Sequence, residues 1–432
     1  MQIMYVCMRC LFVCLLATVV SNQYLYAQTS VDSLDEQNVV HIRGYRYEDF
    51  SAGSKSITID SAYLKQNPGS LADVLSNQSS AYIKSYGVSS LASISIRGGS
   101  ASQTQTTMNG MIMNSPTTGQ VDYSAIPSFV FTNLRLQYGS QVSLMGSGAI
   151  GGSIHLSNET DFVKRKQFSI SYQQASFGSM LPIISTRIGD SLQQLYAVVY
   201  YKQAANNIFY FNQGEKKQLD HAEQKQAGIY VDYSRRIKNH TLKYWVWYQQ
   251  LDKQIPGTIA VPFSDAQQYD RNWKQGLQWM YSKRRTVIQS RVGYQLDKMN
   301  YQSDTSDIHS IISSQLVQAE LEYRFQLTSN ITFLAGTQSI FQQASSANFA
   351  EPTVHQNKIG FFLSANLKLL KKKLIIVPSI RKEWVNSWIP FTPSIGMNYH
   401  IHPIIKLHGL VSYNYRVPSL NDLYWNPGGN AS

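Results

Sequence analysis

Cysteine is nearly missing from this sequence, and the few that occur lie at the N terminus. The 432 residues include 3 cysteines, Cys7, Cys10 and Cys14. All of them fall within residues 1–27, which have a short apolar core and end in Ala27, as a secretory signal peptide does. The exported chain would therefore have no disulfides and no thiolate metal ligands, so its stability must come from its secondary structure.

Long apolar runs and basic clusters are also lacking. No stretch of about 18 apolar residues exists that could cross a bilayer as a helix. The net charge of +12 would suit a nucleic acid, but the sequence has no run of about five basic residues. The densest group, Lys371 to Lys373, fits a turn between two strands. We therefore expect a solvated basic surface and no nucleic-acid partner.

Catalytic and metal-binding signatures are absent as well. The sequence has no H-E-x-x-H motif and no clear G-x-S-x-G elbow, so we do not expect an enzyme. His400 and His402 share one face of a predicted strand, but Pro403 beside them favours surface histidines over a metal pair. Asp304 and Asp307 flank a loop where calcium is an open alternative, although their spacing is not that of an EF-hand. No cofactor is required.

The sequence does contain a glycine-rich run, in which Gly146, Gly148 and Gly151 match the dinucleotide pattern G-x-G-x-x-G. That pattern binds a cofactor when a strand precedes the glycines and a helix follows them. A predicted strand, 134–138, does precede the run, but residues 153–157 alternate between apolar and polar and predict a second strand. Between two strands, glycines serve tight turns and close backbone packing, so the dinucleotide reading is rejected.

After about residue 159 the sequence alternates with a period of two. Apolar side chains occupy every second position in segments around 168–172, 242–248, 288–296, 319–327 and 361–369. About ten residues with one apolar and one polar face are typical of a transmembrane barrel strand, whereas a soluble sandwich usually has shorter strands. The 28 tyrosines fit the aromatic girdles of such barrels. We predict a mainly β chain.

Several short motifs follow one another in a fixed order in the first third of the chain. They are Ile96-Arg97-Gly98, Asn109-Gly110 and the stretch from Ala149 to Ile154. In this order they resemble the plug domain of TonB-dependent outer-membrane receptors. Residues 254–257 and 415–425 resemble an early extracellular loop and a late barrel signature of the same family. The departures, among them Asn109 where the family usually has Asp, affect local contacts rather than the fold.

The resemblance implies an α+β plug domain inside a 22-stranded antiparallel transmembrane β-barrel in the bacterial outer membrane. The expected parts are a signal peptide at 1–27, a periplasmic segment with the TonB box at 28–45, the plug at 46–158 and a partial barrel at 159–432. The box would be Asn38, Val39, Val40, His41 and Ile42, which would join TonB by strand addition. The alternative is that these five residues are the first strand of the plug.

The length of the last part predicts an incomplete barrel. About twelve to fourteen strands fit after Glu159, and an open sheet of that size would leave unpaired edges in lipid. We expect a fragment or truncated product of a longer receptor, and a naturally smaller barrel is the less favoured alternative. In the plug, Ser70 and Asp73 form a capping-box pattern that predicts a short helix.

The resemblance also implies a function, the TonB-dependent active uptake of a scarce large ligand, which is expected to be a cobalamin-type corrinoid. The plug loops Tyr86, Gly87, Val88, Ser89, Ser90, Leu91 and Ser115, Pro116, Thr117, Thr118, Gly119, Gln120 are most similar to the substrate loops of the cobalamin receptor. Their small polar side chains and exposed backbone suit an amide-rich corrinoid. A ferric siderophore, as another small organometallic ligand, is the second choice, and a non-transporting β-rich adhesin is a rival class.

Charge leads to one structural expectation. Arg97, in a plug strand that faces the barrel wall, should pair with a lumenal glutamate, Glu320 or Glu322, and Arg135 should do likewise, because a bare buried charge is costly. The alternative is that Arg97 lies in water at the plug surface. The expected partners outside the chain are TonB with its inner-membrane complex, outer-membrane lipid and the ligand.

Overall fold

The computed structural model describes residues 46–430 apart from 88–89 and 386. The predicted signal peptide and the segment 28–45, with the expected TonB box from Asn38 to Ile42, lie outside the described residues.

The first part of the described chain is a small α+β domain, here called the N-terminal domain. Its elements are α1 (Arg46–Asp49), β1 (Lys55–Asp60), α2 (Ser61–Gln66), α3 (Leu71–Gln78), β2 (Tyr82–Ser85), β3 (Ala92–Ser95), β4 (Thr104–Met108), β5 (Met111–Ile112), β6 (Asn133–Tyr138), α4 (Val142–Met145) and β7 (Gly152–Ser157). Five strands form a sheet in the order β1-β6-β7-β4-β5, in which β4 and β7 are parallel and the other pairs antiparallel. Strands β2 and β3 form a separate hairpin.

Helix α3 begins where the sequence predicts. The Ser70 side chain accepts a hydrogen bond from the backbone N–H of Asp73 (3.2 Å), and the Asp73 carboxylate accepts one from the N–H of Ser70 (3.1 Å). This capping box satisfies two N–H groups that the helix itself leaves free. The helix then buries Leu71, Val74 and Leu75 in the core of the domain.

Strand β6 precedes the glycine-rich run, with the short helix α4 between them, and the run leads into strand β7, so both predicted strands are present. Gly152 is needed for close packing: a Cβ there would lie 2.3 Å from the carbonyl oxygen of Gln137 on the neighbouring strand. No side chain fits at that distance, which accounts for glycine without any cofactor.

The rest of the chain is almost entirely β-structure. Its elements are β8 (Arg165–Ala175), β9 (Ser179–Gly189), β10 (Gln193–Ala204), β11 (Phe209–Asn212), β12 (Glu215–Gln218), β13 (Gln224–Ile237), β14 (His240–Gln254), β15 (Gln267–Lys283), β16 (Thr286–Ser303), β17 (Ile308–Thr328), β18 (Ile331–Ser346), β19 (Thr353–Leu369), β20 (Leu374–Val385), β21 (Ser387–Trp388), β22 (Thr392–His402), β23 (Ile405–Ser412) and α5 (Leu420–Tyr424). Fourteen of these strands form one sheet, here called the large sheet, in which neighbours in sequence pair antiparallel and β21 pairs with β20. The hairpin β11–β12 stands apart from it. The strand number lies within the range expected from the sequence.

The two faces of the large sheet have opposite character. On β17, Leu321 and Tyr323 are 46% and 45% exposed, whereas Glu320, Glu322 and Arg324 between and beside them are almost completely buried. The polar face therefore points towards protein and the apolar face points away from it. This distribution suits a wall with lipid on its outer side.

The buried polar face contacts the N-terminal domain along much of the sheet. Asn109 donates a hydrogen bond to the Tyr230 hydroxyl of β13 (3.1 Å), and the Gln318 side chain of β17 bonds both backbone groups of Ile112 (3.1 Å each). Further along, a Cβ at Gly396 of β22 would lie 1.9 Å from the carbonyl oxygen of Ala52, so the two backbones touch. The large sheet thus wraps around the N-terminal domain.

Among the described residues, none of the helices combines the length and the apolar character that a membrane crossing requires.

Candidate ligand cavity and ion-pair anchor

A cavity of about 560 Å³ lies between the N-terminal domain and strands β14 to β17. Seven of the predicted ligand-binding residues line it: Tyr86, Ser90, Leu91, Ser115, Thr117, Thr118 and Gln120. Pro116 and Gly119, together with Ser115, face a second cavity of about 70 Å³. Gly87 borders neither of these two cavities, and Val88 and Ser89 lie outside the described residues. The structure therefore brings the two predicted loops together at one cavity.

The loop 115–120 is held in one shape by its own hydrogen bonds. The N–H of Ser115 donates to the Gln120 carbonyl (3.0 Å), and the N–H of Gly119 donates to the Ser115 carbonyl (2.8 Å). Below the loop, the Asn114 amide donates to the Gly119 carbonyl (2.9 Å). A loop closed in this way presents a preformed surface to the cavity.

The backbone of this loop is less open than the sequence suggested. The carbonyl of Pro116 already accepts a hydrogen bond from the N–H of Leu420 (3.1 Å), and that of Thr117 accepts one from the N–H of Asn421 (2.9 Å). Pro116 and Thr117 are both buried, while Thr118 is exposed. The expectation of exposed backbone was therefore wrong for Pro116 and Thr117, because a distant segment covers them.

Asp122 joins the two loops to each other and to the large sheet. One carboxylate oxygen accepts from the N–H groups of Ala92 (3.1 Å) and Ser124 (3.0 Å), and Ser124 in turn donates to the carbonyl of Ser90 (3.0 Å). The other oxygen lies 3.5 Å from the Lys253 ammonium of β14. Asp122 thus connects both plug loops to strand β14.

The cavity also has charged side chains, most of them from the large sheet, which the two loop sequences did not predict. The cavity is lined by three lysines and three aspartates: Lys253, Lys274, Lys298, Asp122, Asp270 and Asp297. Lys274 is paired with Asp297 at 2.6 Å. A signal for part of this set was present in the sequence, since Asp270, Asn272 and Lys274 occupy alternate positions of one strand. The net formal charge of the lining is zero.

The loop between β14 and β15 is fastened to the neighbouring turn by Asp265. Its carboxylate accepts hydrogen bonds from the Ser303 hydroxyl (2.7 Å) and from the N–H and hydroxyl of Thr305 (2.8 Å each). These bonds favour the charged carboxylate and lower the pKa of Asp265 to about 2.

A second polar site lies where α1 meets strands β16 and β17. Arg46 of α1 forms ion pairs with Glu320 (2.6 Å) and Glu322, and Arg291 of β16 pairs with the same two carboxylates, at 2.8 Å from Glu322. The exposure of all four side chains is between 2% and 4%. We call this cluster the ion-pair anchor. Two arginines balance two glutamates, so the buried charges compensate each other.

Helix α1 has further contacts on both sides. Asp49 pairs with Arg324 of β17 at 2.9 Å, and its carbonyl accepts a hydrogen bond from Asn366 of β19. On the other side, the ring of Tyr47 stacks on His155 of β7, with centroids 3.7 Å apart. The four residues of α1 therefore bridge the N-terminal domain and the large sheet.

Family comparisons agree with this architecture. Residues 49–153 match the TonB-dependent Receptor Plug Domain, and residues 230–432 match the TonB dependent receptor-like beta-barrel. The chain belongs to the TonB-dependent receptor family. The N-terminal domain is accordingly the plug and the large sheet is barrel wall, so the protein resides in the outer membrane.

Individual relatives are more distant. The chain is 29% identical over 134 residues to the vitamin B12 transporter BtuB of Vibrio vulnificus, covering 31% of this chain and 22% of that protein. It is 20% identical over 367 residues to the vitamin B12 transporter BtuB of Photobacterium profundum, covering 84% and 59%. A crystal structure of a ferric enterobactin receptor mutant from Pseudomonas aeruginosa superimposes with a TM-score of 0.70 at 12% identity, covering 88% of this chain and 64% of that one. The chain thus spans less than two thirds of each of these proteins.

The expected plug–barrel ion pairs are only partly as the sequence predicted. Glu320 and Glu322 do bind a plug arginine, but it is Arg46, and the prediction for Arg97 was wrong. Arg97 follows β3 in a left-handed turn (φ 53°) and is exposed beside Gly139, which points it away from β17.

The prediction for Arg135 was also wrong, because its ion pair stays within the plug. Its guanidinium lies 3.9 Å from Glu48 of α1 and donates to the Ser56 hydroxyl at 3.1 Å. Sequence reasoning missed Arg46, since its significance depends on which strand α1 meets.

Within the described part of the chain, no group of three or more His, Asp, Glu or Cys side chains is arranged to hold a metal ion. The alternative of calcium near Asp304 and Asp307 stays an untested prediction.

Proposed function

We propose that this chain forms the plug and ligand-binding wall of a TonB-dependent transporter for a cobalamin-type corrinoid. The observation that carries the proposal is the cavity of about 560 Å³, which joins the two predicted plug loops to strands β14 to β17. Its lining combines balanced charges with amide side chains from Gln120, Gln249, Gln268 and Asn272. Amides can both donate to and accept from the amide groups at the edge of a corrinoid.

Sequence similarity supports the same ligand class. The two relatives named above are vitamin B12 transporters, and the plug loops resemble those of a cobalamin receptor. An electrically balanced lining also suits a ligand of low net charge better than a multiply charged one.

The transport step would begin at the N terminus. TonB would add a strand at Asn38 to Ile42, and a pull on that segment would reach α1, which starts at Arg46. The ion-pair anchor would then have to open before the plug could move. The protein changes no covalent bond in this scheme, and it requires no cofactor.

A ferric siderophore is the second candidate, and one observation favours it. Lys253, Lys274 and Lys298 all line the cavity, and their positive charges would attract a ferric chelate that carries several negative charges. Two of these lysines are already engaged with Asp122 and Asp297, so such a ligand would have to compete with the aspartates.

Binding measurements on the whole chain in detergent test the proposal. We expect cobinamide to bind at micromolar concentrations, and a dissociation constant no tighter than about 1 mM, which is only about 4 kcal/mol of binding, would refute it. Ferric enterobactin, tested in parallel, should bind much more weakly.

The variant Lys298→Gln separates the two candidates. It should leave cobinamide binding within about 2-fold, while it should weaken an anionic ferric chelate about 5-fold through lost charge attraction. Lys217→Gln, on the β11–β12 hairpin and outside the cavity lining, is the matched control for the loss of one charge.

A further inference from the structure

Residues 415–425, which carry the late barrel signature, belong neither to the lining of the ligand cavity nor to the ion-pair anchor. In the structure this segment folds inward and reaches the plug at two places. The N–H groups of Leu420 and Asn421 donate to the carbonyls of Pro116 and Thr117, at 3.1 and 2.9 Å. The N–H of Val417 donates to the Ser147 hydroxyl at 2.7 Å.

This segment has an internal structure of its own. Ser419 and Asp422 form the capping box of α5, and Arg416 pairs with Asp422 at 2.9 Å. The hydrogen bonds that the Asp422 carboxylate accepts from Ser419 and Arg416, together with the charge of Arg416, lower the pKa of this carboxyl, which keeps it charged as the capping box requires.

The segment is also fixed to the barrel wall. Leu420 is fully buried in a small apolar cluster with Ala344, Phe349 and Val354 of β18, β19 and their connection. Trp425 packs edge-on against Phe349, with centroids 5.9 Å apart. Backbone bonds from Ala350 to the Tyr424 carbonyl and from Asn426 to the Asn348 carbonyl, both 2.9 Å, continue the contact. The wall, the segment and the plug loop therefore form one continuous packed path.

The plug loop has the cavity on one side and this segment on the other. Thr118 is exposed at the cavity, while Pro116 and Thr117 are buried. The loop's own bonds set its shape, but they do not fix where the loop stands relative to the barrel half of the cavity.

We propose that residues 416–425 act as a positioning clamp, which holds the plug loop 115–120 at the distance from β14 to β17 that ligand binding requires. The clamp does not touch the ligand and acts through the loop. The part of this proposal that concerns ligand affinity rests on the proposed function above, whereas the docking of the loop does not.

The first test weakens the clamp by truncating its buried side chain, Leu420. Leu420→Ala in the whole chain should raise amide hydrogen exchange at residues 113–121 about tenfold or more, because a buried leucine contributes well over the 1.4 kcal/mol that a factor of ten requires. Cobinamide affinity should fall by a similar factor. Leu423→Ala, in the same helix and outside the apolar cluster, is the matched control and should change neither. If Leu420→Ala does not yield folded protein, Asp422→Ala weakens the capping box more gently and should act in the same direction.

The second test joins the plug loop to the clamp through a disulfide. A Cβ at Gly119 would lie 3.6 Å from that of Ser419, within the range of about 3.5–4.5 Å that a disulfide needs. Since the sequence has no cysteine after Cys14, the pair Gly119→Cys and Ser419→Cys can be oxidised selectively. Both cysteines perturb the site by themselves, since Ser419 caps α5 and Gly119 has a φ of +69°, so the reduced form of the same protein is the reference. In the Leu420→Ala background, oxidation should lower exchange at 113–121 and tighten cobinamide binding relative to that reduced form.

The outcomes separate the two proposals. Unchanged exchange at 113–121 in Leu420→Ala would overturn the clamp, and so would a disulfide that restores protection without restoring affinity. If the wild-type chain fails to bind cobinamide, the ligand assignment fails, while the exchange measurements still decide whether the loop is docked.

Discussion

The plug meets the barrel wall on two sides that are built from different chemistry. Towards β10 and β14 the contact is aromatic: Phe129 packs edge-on against Tyr200 at 5.3 Å, and Phe131 against Trp247 at 6.0 Å. Towards β16 and β17 it is the ion-pair anchor, which Arg46 supplies from the plug. The hydrophobic contribution of aromatic packing is non-directional, whereas buried ion pairs need their specific partners and cannot lose one without a large penalty. The contact most sensitive to displacement therefore lies beside α1, where the expected pull would arrive.

Substituting Arg46 on the ionic side, or Phe131 on the aromatic side, should produce the largest losses of stability. Arg46→Met leaves Glu320 and Glu322 to share the ion pair with Arg291, and we expect the free energy of unfolding to fall by about 3–5 kcal/mol. Phe131→Ala should lower it by a similar amount, about 3–5 kcal/mol, through a cavity. Hydrogen exchange tells the sides apart: the first variant should expose residues 46–53 and the second residues 128–133.

The control for the ionic side is Arg97→Met. Because Arg97 is exposed and away from the anchor, this variant should unfold as the wild type does. A greater loss of stability from Arg97→Met than from Arg46→Met would contradict the assignment of the anchor.

The comparison between the two faces of β17 gives the next largest effect. Leu321 lies between Glu320 and Glu322 in sequence but points to the lipid side, so Leu321→Arg should destabilise the folded barrel by about 2–4 kcal/mol. Gln315→Arg, on the same face but six residues nearer the strand's start, should cost at most about 1 kcal/mol. Denaturant unfolding in lipid vesicles measures both. Equal effects would mean that the outward face does not cross a membrane at this depth.

A smaller loss of stability is expected within the plug itself, away from both of its contacts with the barrel wall. Ser70→Ala removes the cap of α3 and should lower plug stability by about 1 kcal/mol, measured as faster exchange in residues 70–78. Ser76→Ala, on the exposed face of the same helix, is the control and should not speed exchange. If α3 is equally protected in both variants, the capping box does not contribute as its geometry indicates.

The smallest effect concerns the loop between β14 and β15, which leads from the aromatic side of the wall towards the strands of the ionic side. The pKa of Asp265 is about 2 in the folded loop, below its ordinary 3.8, so its contribution to loop order is fully present above pH 3.8. This contribution should be lost as the pH falls from 3.8 towards 2. The measurement is the mobility of a probe in the loop 255–266 against pH. Asp265→Asn should be less ordered at neutral pH and show no such transition, and an identical transition in that variant would assign it to another group.

Local patterns predicted most of the secondary structure. The capping pattern at Ser70 and Asp73, the strand before the glycine run and the turn at Lys371 to Lys373 all depend on neighbours in sequence, and the structure confirms each of them. The predicted loops also meet at one cavity. The charged wall of that cavity escaped prediction, because Lys253 and Lys274 lie on strands whose place around the plug no local pattern reports.

By itself, the sequence determined which residues form strands and that each strand has an apolar and a polar face, because alternation is a property of the chain over a few residues. It also determined, through ordered motifs, the family. Only the tertiary structure decided that Arg46 rather than Arg97 meets Glu320 and Glu322, and that residues 416–425 cover the plug loop. These pairings join residues more than 250 positions apart, and they follow from strand register and from the way the sheet wraps around the plug, which no short stretch of sequence encodes.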